Sequence, residues 1–160
     1  MLSLHLIIVG RDKESWVSDQ SDHYRKLLAR YAKLEITVIP EERYGKGCDI
    51  SKALAAEAKN IESRLKGGYL YILDIDGKSY DTKAFAAELT RQQNSGLSRL
   101  EFVIGGPYGL DQSFKDKKKG SRASALSLSD MTMSHQIIRL VLLEQLYRAL
   151  NLNTGGSYHK

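Results

Sequence analysis

Short apolar runs alternate with longer segments of helical periodicity along this chain, and no other sequence feature limits its possible folds as strongly. Five runs rich in β-branched or aromatic residues predict strands at residues 4–9, 35–39, 69–73, 100–104 and 125–128. The first four runs are apolar along nearly their whole length. Such strands are expected where both faces of a sheet are covered.

Four longer segments carry apolar residues at the spacing of an amphipathic helix, at residues 18–31, 50–65, 82–93 and 134–150. Strand–helix–strand alternation predicts an α/β fold, in which a parallel sheet has helices on both faces. No internal repeat or flexible linker divides the 160 residues, so we expect one domain over residues 1–160.

The last predicted helix is apolar around its whole circumference. Its large apolar residues leave no clean polar arc: Ile137, Ile138, Leu140, Val141, Leu142, Leu143, Leu146, Tyr147 and Leu150. A helix with one solvated side would have such an arc. We expect part of this surface to meet a second subunit in a symmetric dimer, the alternative being a helix buried within the monomer.

The amino-acid composition limits the kinds of partner and metal site that this protein can have. The net charge of +5 makes nucleic acid a candidate partner. Cys48 is the sole cysteine, which excludes an intramolecular disulfide and any metal site built from several cysteines. The apolar runs are too short to span a bilayer, and Met1 leads into a strand-like segment without a signal pattern. We therefore expect a cytoplasmic protein.

The sequence contains neither of two common nucleotide-binding motifs. Gly77-Lys78-Ser79 resembles the end of a phosphate-binding loop, but Ile72 stands where that motif needs glycine. No G-x-G-x-x-G sequence occurs. Asp74 and Asp76 could ligate magnesium at a strand end, although an ordinary turn at Asp76-Gly77 explains them more simply.

A glycine-rich segment follows the fourth strand. Residues 104–109 read Ile-Gly-Gly-Pro-Tyr-Gly, at a strand end where open α/β sheets bind ligands. Its glycines would let the backbone approach a ligand without interference from Cβ atoms. A simple strand-to-helix turn is the alternative.

Three further segments have both a structural and a functional interpretation. The basic run at residues 115–122 predicts either a solvated face or phosphate contacts. Ser134 is a suitable N-cap for the last helix, and the helix dipole then favours a neutral His135. The end of the chain, residues 155–160, would normally fray, but its aromatic, imidazole and cationic groups would also suit stacking on a base beside a phosphate.

Taken together, these motifs resemble one known family. The glycine segment at 104–109, the stretches at 127–136 and 139–149, and the closing Tyr158-His159-Lys160 are similar to the RlmH family. These proteins are SPOUT-class methyltransferases that act on N3 of a pseudouridine in bacterial 23S rRNA. The similarity runs the length of the chain and is most specific in its C-terminal third. Two positions depart from the family pattern, since Tyr108 stands where many members have an acid and Ser134 where proline is usual.

The resemblance implies a C-terminal trefoil knot, a homodimer, and S-adenosylmethionine bound in a bent conformation without a metal. The tail of one subunit would complete the site of the other subunit. The substrate pseudouridine would be presented on an assembled ribosome. The implied cofactor contacts are Leu73, Gly105, Gly106, Ser129, Asp130, Met131, Thr132, Met133 and Ser134.

Transfer of a methyl group to an imide nitrogen requires placement of the acceptor and loss of its proton. Our hypothesis is that the catalytic residues His135, Tyr158 and His159 orient the base and help to stabilise the developing anion. The proton acceptor is left open among His135, His159 and bulk water. Contacts to RNA are assigned to Arg148, Lys160, Lys117, Lys118 and Lys119, although Arg148 could instead pair with Glu144. Two alternatives remain, a non-catalytic RNA- or ribosome-binding dimer and a SPOUT methyltransferase that acts on tRNA.

Overall fold

Strands and helices alternate along the whole chain in the computed structural model, which describes residues 1–158. Every strand and helix predicted from the sequence is present, with bounds shifted by a few residues. The elements in order are β1 (Leu2–Val9), α1 (Ser15–Leu28), β2 (Ala32–Ile39), α2 (Ile50–Arg64), β3 (Tyr69–Ser79), α3 (Thr82–Asn94), β4 (Arg99–Ile104), α4 (Gln112–Lys118), β5 (Ala123–Ser127) and α5 (His135–Asn153).

The strands form one parallel sheet in the order β2-β1-β4-β3-β5. Coverage on both faces is confirmed for the central strands, where Leu6, Ile7 and Phe102 are fully buried. The same expectation is wrong for β2, because this strand lies at an edge of the sheet and Val38 remains 46% exposed. An apolar run alone does not distinguish a central strand from an edge strand.

Helices cover both faces of the sheet, as the alternation predicts. Helices α1, α3 and α5 pack on one face, and α2 and α4 pack on the other. Helix α5 contacts both α1 and α3, and its Leu142, Leu143 and Leu146 have no exposed surface. Burial within the monomer therefore accounts for most of its apolar circumference. Ile137, Leu140 and Val141 form an outer row that stays partly exposed.

Strand β3 is irregular beyond Leu73, where its pairing with β5 skips to Lys78. The turn predicted at Asp76-Gly77 is wrong, because both residues lie within β3, where the chain bulges instead of turning. A Cβ atom on Gly77 would lie 2.6 Å from the backbone of Ala125, so only glycine fits against β5. Gly77, Lys78 and Ser79 therefore belong to a strand and do not form a phosphate-binding loop.

Helix α4 is the one element that the sequence analysis did not predict. The carboxylate of Asp111 caps it by accepting the Phe114 N–H at 2.9 Å, and Phe114 anchors it in the core. A helix of seven residues with one buried side chain has little hydrophobic periodicity, and the surrounding lysines were therefore interpreted only as a basic run. Within residues 1–158, the structure contains no helix that is both long and apolar enough to cross a membrane.

Candidate functional site

A crevice of about 580 Å³ opens at the carboxyl ends of β3, β4 and β5. This edge is where open α/β sheets bind ligands. Apolar side chains from these strands and from α5 form much of its wall, namely Leu73, Ile104, Leu126, Leu128 and Ile138. Its size is that of pockets that enclose a cofactor or another small molecule.

The glycine turn after β4 forms the side of this crevice nearest the centre of the sheet. The N–H of Gly109 donates to the carbonyl of Gly106 at 3.0 Å and closes the turn. A Cβ atom on Gly105 would lie 2.7 Å from the carbonyl oxygen of Gly109, so a side chain cannot be accommodated there. Glycine at position 105 therefore lets the turn fold tightly onto its own backbone beside the crevice.

The segment between β5 and α5 forms the opposite wall. The hydroxyl of Ser129 accepts the Met131 N–H at 3.0 Å, and Ser127 donates to the Ser129 carbonyl at 3.1 Å. Ser134 caps α5 by accepting the Ile137 N–H at 3.3 Å, which confirms the predicted N-cap. Asp130 does not line the crevice, whereas the other residues that the family resemblance assigns to the cofactor do: Leu73, Gly105, Gly106, Ser129, Met131, Thr132, Met133 and Ser134.

His135 is the first residue of α5 and also lines the crevice. Its Nε2 atom is buried and has no hydrogen-bond partner among the described residues. Burial is the main cause that lowers the pKa of His135, and the positive charges of Arg139 and Lys13 act in the same direction. The carboxylates of Glu41 and Asp12 oppose this shift. The lowered pKa agrees with the neutral imidazole predicted from the helix position, although burial contributes most.

Three residues that surround His135 were not singled out in the sequence. Arg139 is only 3% exposed and donates to the carboxylate of Asp12, while its Nε and Nη2 atoms lack partners among residues 1–158. The carboxylate of Glu41 lies against Gly10, beside the His135 ring. Asp12 and Glu41 follow adjacent parallel strands, whose carboxyl ends meet at one edge, and that position is the signal that could have identified them.

Tyr158 lies far from His135 within one chain. Its ring packs against Tyr147 with a centroid distance of 4.7 Å, and its N–H donates to the Asn151 side chain at 3.1 Å. Tyr147 follows His135 by twelve residues, which corresponds to about 18 Å along a helix. One chain therefore does not bring these two predicted catalytic groups together. The predictions for His159 and Lys160 fall outside the described residues.

Most of the predicted RNA-binding cations form ion pairs. Arg148 pairs with Glu144, the partner named in the structural alternative for this residue. Lys118 Nζ lies 3.6 Å from Oε1 of Glu62, and Lys119 Nζ lies 3.2 Å from Oδ1 of Asp116. Lys117 is exposed. No group of three or more metal-ligating His, Cys, Asp or Glu side chains occurs within residues 1–158.

The sheet, its crevice and the capped last helix agree with one class of enzyme folds. The family model described as "Predicted SPOUT methyltransferase" matches residues 2–159. The chain therefore belongs to the SPOUT methyltransferase family.

Within that class, the most informative relatives carry one name, ribosomal RNA large subunit methyltransferase H. The Leuconostoc citreum protein is 33% identical, over 99% of this chain and 100% of its own length. The Flavobacterium johnsoniae protein is 35% identical over 99% of both chains. The Acetivibrio thermocellus protein is 36% identical, over 99% of this chain and 100% of its own. These matches identify the particular branch as the RlmH family.

Two solved structures share the fold at low sequence identity. A methyltransferase from Legionella pneumophila with bound SAM aligns with a TM-score of 0.52 and 13% identity, over 95% of this chain and 66% of that one. A ribosomal RNA small subunit methyltransferase E from Neisseria gonorrhoeae, also bound to SAM, gives a TM-score of 0.51 and 11% identity, over 91% and 65%. This chain thus spans about two thirds of each structure, and the likeness concerns the fold.

Proposed function

We propose that this protein transfers a methyl group from S-adenosylmethionine (SAM) to N3 of a pseudouridine in 23S rRNA of the large ribosomal subunit. The observation that carries the proposal is the crevice, whose walls contain nearly all the residues that the family resemblance assigns to the cofactor. The full-length relatives named ribosomal RNA large subunit methyltransferase H support the same substrate class.

The residues of the crevice fit SAM. Apolar walls at Leu73 and Leu126 suit an adenine ring, and the wall at Gly105 leaves backbone groups free to face polar parts of the ligand. A side chain on Gly105 would disturb this wall, because its Cβ atom would press on the backbone of Gly109. When bound, SAM supplies the electrophilic methyl group on its sulfonium sulfur.

His135 is the group best placed to act on the acceptor. N3 of a pseudouridine is an imide nitrogen and must lose its proton before it can be methylated. The buried Nε2 atom of His135 has no partner among residues 1–158, and its lowered pKa favours a neutral ring at physiological pH. We assign His135 the task of accepting this proton, while Tyr158 and His159 orient the base and stabilise the anion that forms at N3.

A homodimer would bring the tail residues to the crevice. Tyr158 packs on the far part of α5 in its own chain, so a second copy must supply the Tyr158 and His159 that act beside His135. The partly exposed row formed by Ile137, Leu140 and Val141 supports an interface along α5. We also propose a C-terminal trefoil knot, one domain over residues 1–160 and a cytoplasmic location, and membership of the family supports these proposals.

Basic side chains would hold the RNA backbone near the site. Lys117 is exposed and available for phosphate contacts, and Lys118 and Lys119 lie beside it at the end of α4. Arg148 and Lys160 belong to the same proposed set near the tail. Exchange of the exposed Lys119–Asp116 ion pair for a phosphate contact would carry little penalty, since such pairs are weak in water.

The proposal is tested by incubation of the purified protein with labelled SAM and with large ribosomal subunits, assembled ribosomes or tRNA. We expect label in 23S rRNA and none in tRNA, and calorimetric titration should detect SAM binding. Label in tRNA alone would contradict the substrate. Absence of SAM binding would instead favour a non-catalytic RNA-binding protein.

A further inference from the structure

A second, more open concavity of about 780 Å³ lies beside the crevice. It is formed by residues 41–46 and Cys48, which follow β2, and by Pro107 and Tyr108 of the glycine turn. Pro107 lines both the concavity and the crevice, so the two lie next to each other at the glycine turn. A chain bound with one residue in the crevice could therefore extend into this concavity.

Two aromatic rings pair within the concavity. The ring centroids of Tyr44 and Tyr108 lie 4.4 Å apart, with the ring planes inclined at 41°. Tyr108 is 52% exposed, so much of its ring is open to solvent. An exposed ring already packed against a second aromatic ring offers a flat surface for stacking.

Buried contacts hold Tyr44 in place. Its hydroxyl donates to Oε1 of Glu57 at 2.7 Å, and this carboxylate oxygen also accepts the Glu42 N–H at 3.0 Å. Glu57 is 2% exposed, so these bonds fix the phenol from inside the fold. Burial and the Glu57 carboxylate raise the pKa of Tyr44, which keeps its hydroxyl a donor.

The glycine turn holds Tyr108 with similar rigidity. The Gly109 N–H donates to the Gly106 carbonyl at 3.0 Å, and Pro107 restricts the backbone directly before Tyr108. The Tyr44 ring and the backbone that carries Tyr108 are therefore preorganised, and binding to a preorganised surface loses less conformational entropy.

The charged residues around the rings are of both signs, and the two cations lie on the exposed rim. Arg43 and Lys46 are exposed in the concavity. Glu41 directs a carboxylate oxygen at Gly10, towards His135, while Glu42 stays exposed on the rim. Two cations next to an aromatic pair match single-stranded nucleic acid, in which bases stack on rings and phosphates meet cations.

We infer that Tyr44 and Tyr108 form a stacking platform for an unpaired RNA base next to the modified nucleotide, with Arg43 and Lys46 on its phosphates. The inference rests on the proposed function for the identity of the RNA. The platform lies outside the crevice, so it contributes to binding of the substrate and not to the chemical step.

Substitution of Tyr108 tests the platform, because this ring makes no hydrogen bond that the fold requires. Tyr108→Ala should raise KM for unmethylated large subunits about tenfold, the effect of one lost stacking contact. The value of kcat and the Kd for SAM should stay unchanged. Tyr108→Phe keeps the ring and should behave as the wild type, as should Val38→Ala, a control at another exposed apolar side chain.

A direct readout uses single-stranded oligouridine that carries 5-iodouridine, which crosslinks to stacked tyrosines. We expect a crosslink to Tyr44 or Tyr108 in the wild type and its loss in Tyr108→Ala. This readout needs no methyl transfer, so failure of the proposed function leaves it interpretable. An unchanged KM in Tyr108→Ala, or an equal rise in Tyr108→Phe, would overturn the platform. A KM effect on ribosomes without any crosslink to RNA would assign the surface to a protein partner and overturn the RNA assignment.

Discussion

The guanidinium of Arg139 donates to the carboxylate of Asp12, and this ion pair ties the second turn of α5 to the loop after β1. Arg139 is almost wholly buried, whereas Asp12 is 20% exposed. The positive charge of Arg139 lowers the pKa of His135, and the negative charge of Asp12 raises it. The pair therefore stabilises the fold and helps to set the electrostatic environment of the candidate base.

Loss of the carboxylate should destabilise the protein. Asp12→Asn leaves the Arg139 charge buried without its counterion, which costs about 3 kcal/mol in comparable buried pairs. Unfolding in urea would measure this loss. Asp116→Asn is the matched control, because Lys119, its partner, is mostly exposed and that pair should contribute little. Equal stabilities of the two variants would contradict a structural role for the Asp12 pair.

The lowered pKa of His135 predicts a dependence of stability on pH. Below its ordinary value of 6.5, the unfolded chain binds this proton more readily than the folded chain. The contribution of His135 is therefore complete above pH 6.5 and is lost as the pH falls below it. Urea unfolding of the wild type and His135→Gln should show the variant gaining relative stability between pH 8 and pH 5.5. His23→Gln, at an exposed histidine, should show no such change, and identical behaviour of both variants would contradict the prediction.

A single added methyl group in the glycine turn should impair SAM binding. The Cβ atom of Gly105→Ala would press on the Gly109 carbonyl, which is backbone and cannot move aside cheaply. We expect at least a tenfold weaker Kd in calorimetric titration, about 1.4 kcal/mol of binding free energy. Gly45→Ala is the control, since a Cβ atom there meets nothing within 4 Å. Wild-type affinity in Gly105→Ala would mean that SAM binds elsewhere.

The proposed dimer makes a complementation experiment possible. His135→Gln and His159→Ala should each lower turnover, by about 100-fold if they act in proton transfer. When the two variants are mixed and allowed to exchange subunits, half of the dimers are mixed and each has one intact site. Activity should then return to about a quarter of the wild-type value. A mixture that stays inactive after subunit exchange would contradict a site shared between two copies.

The sheet and the crevice were largely predictable from the sequence because each depends on local signals. Apolar runs identify strands, and the glycine segment after β4 marks a ligand-binding edge whatever the rest of the chain does. The position of β2 at the edge was not predictable, because an apolar run does not reveal how many neighbours a strand has. Helix α4 escaped prediction because seven residues around Phe114 carry almost no periodicity.

The neighbourhood of His135 shows a second limit of sequence reasoning. Asp12, Glu41 and Arg139 come from three separate parts of the chain, and only the parallel order of β1 and β2 brings the first two together. Burial, the main cause of the lowered pKa of His135, is likewise a property of the packed fold. Tyr158 was predicted beside His135, but the helix between them keeps the two apart in one chain.

Methylation of 23S rRNA can be tested in cells by mass spectrometry of rRNA from a strain that lacks this gene, compared with the same strain complemented by the wild type or by His135→Gln. We expect one methyl group on one pseudouridine to disappear in the deletion strain, to return with the wild-type gene, and to stay largely absent with the variant. An unchanged set of rRNA methyl groups in the deletion strain would contradict this expectation.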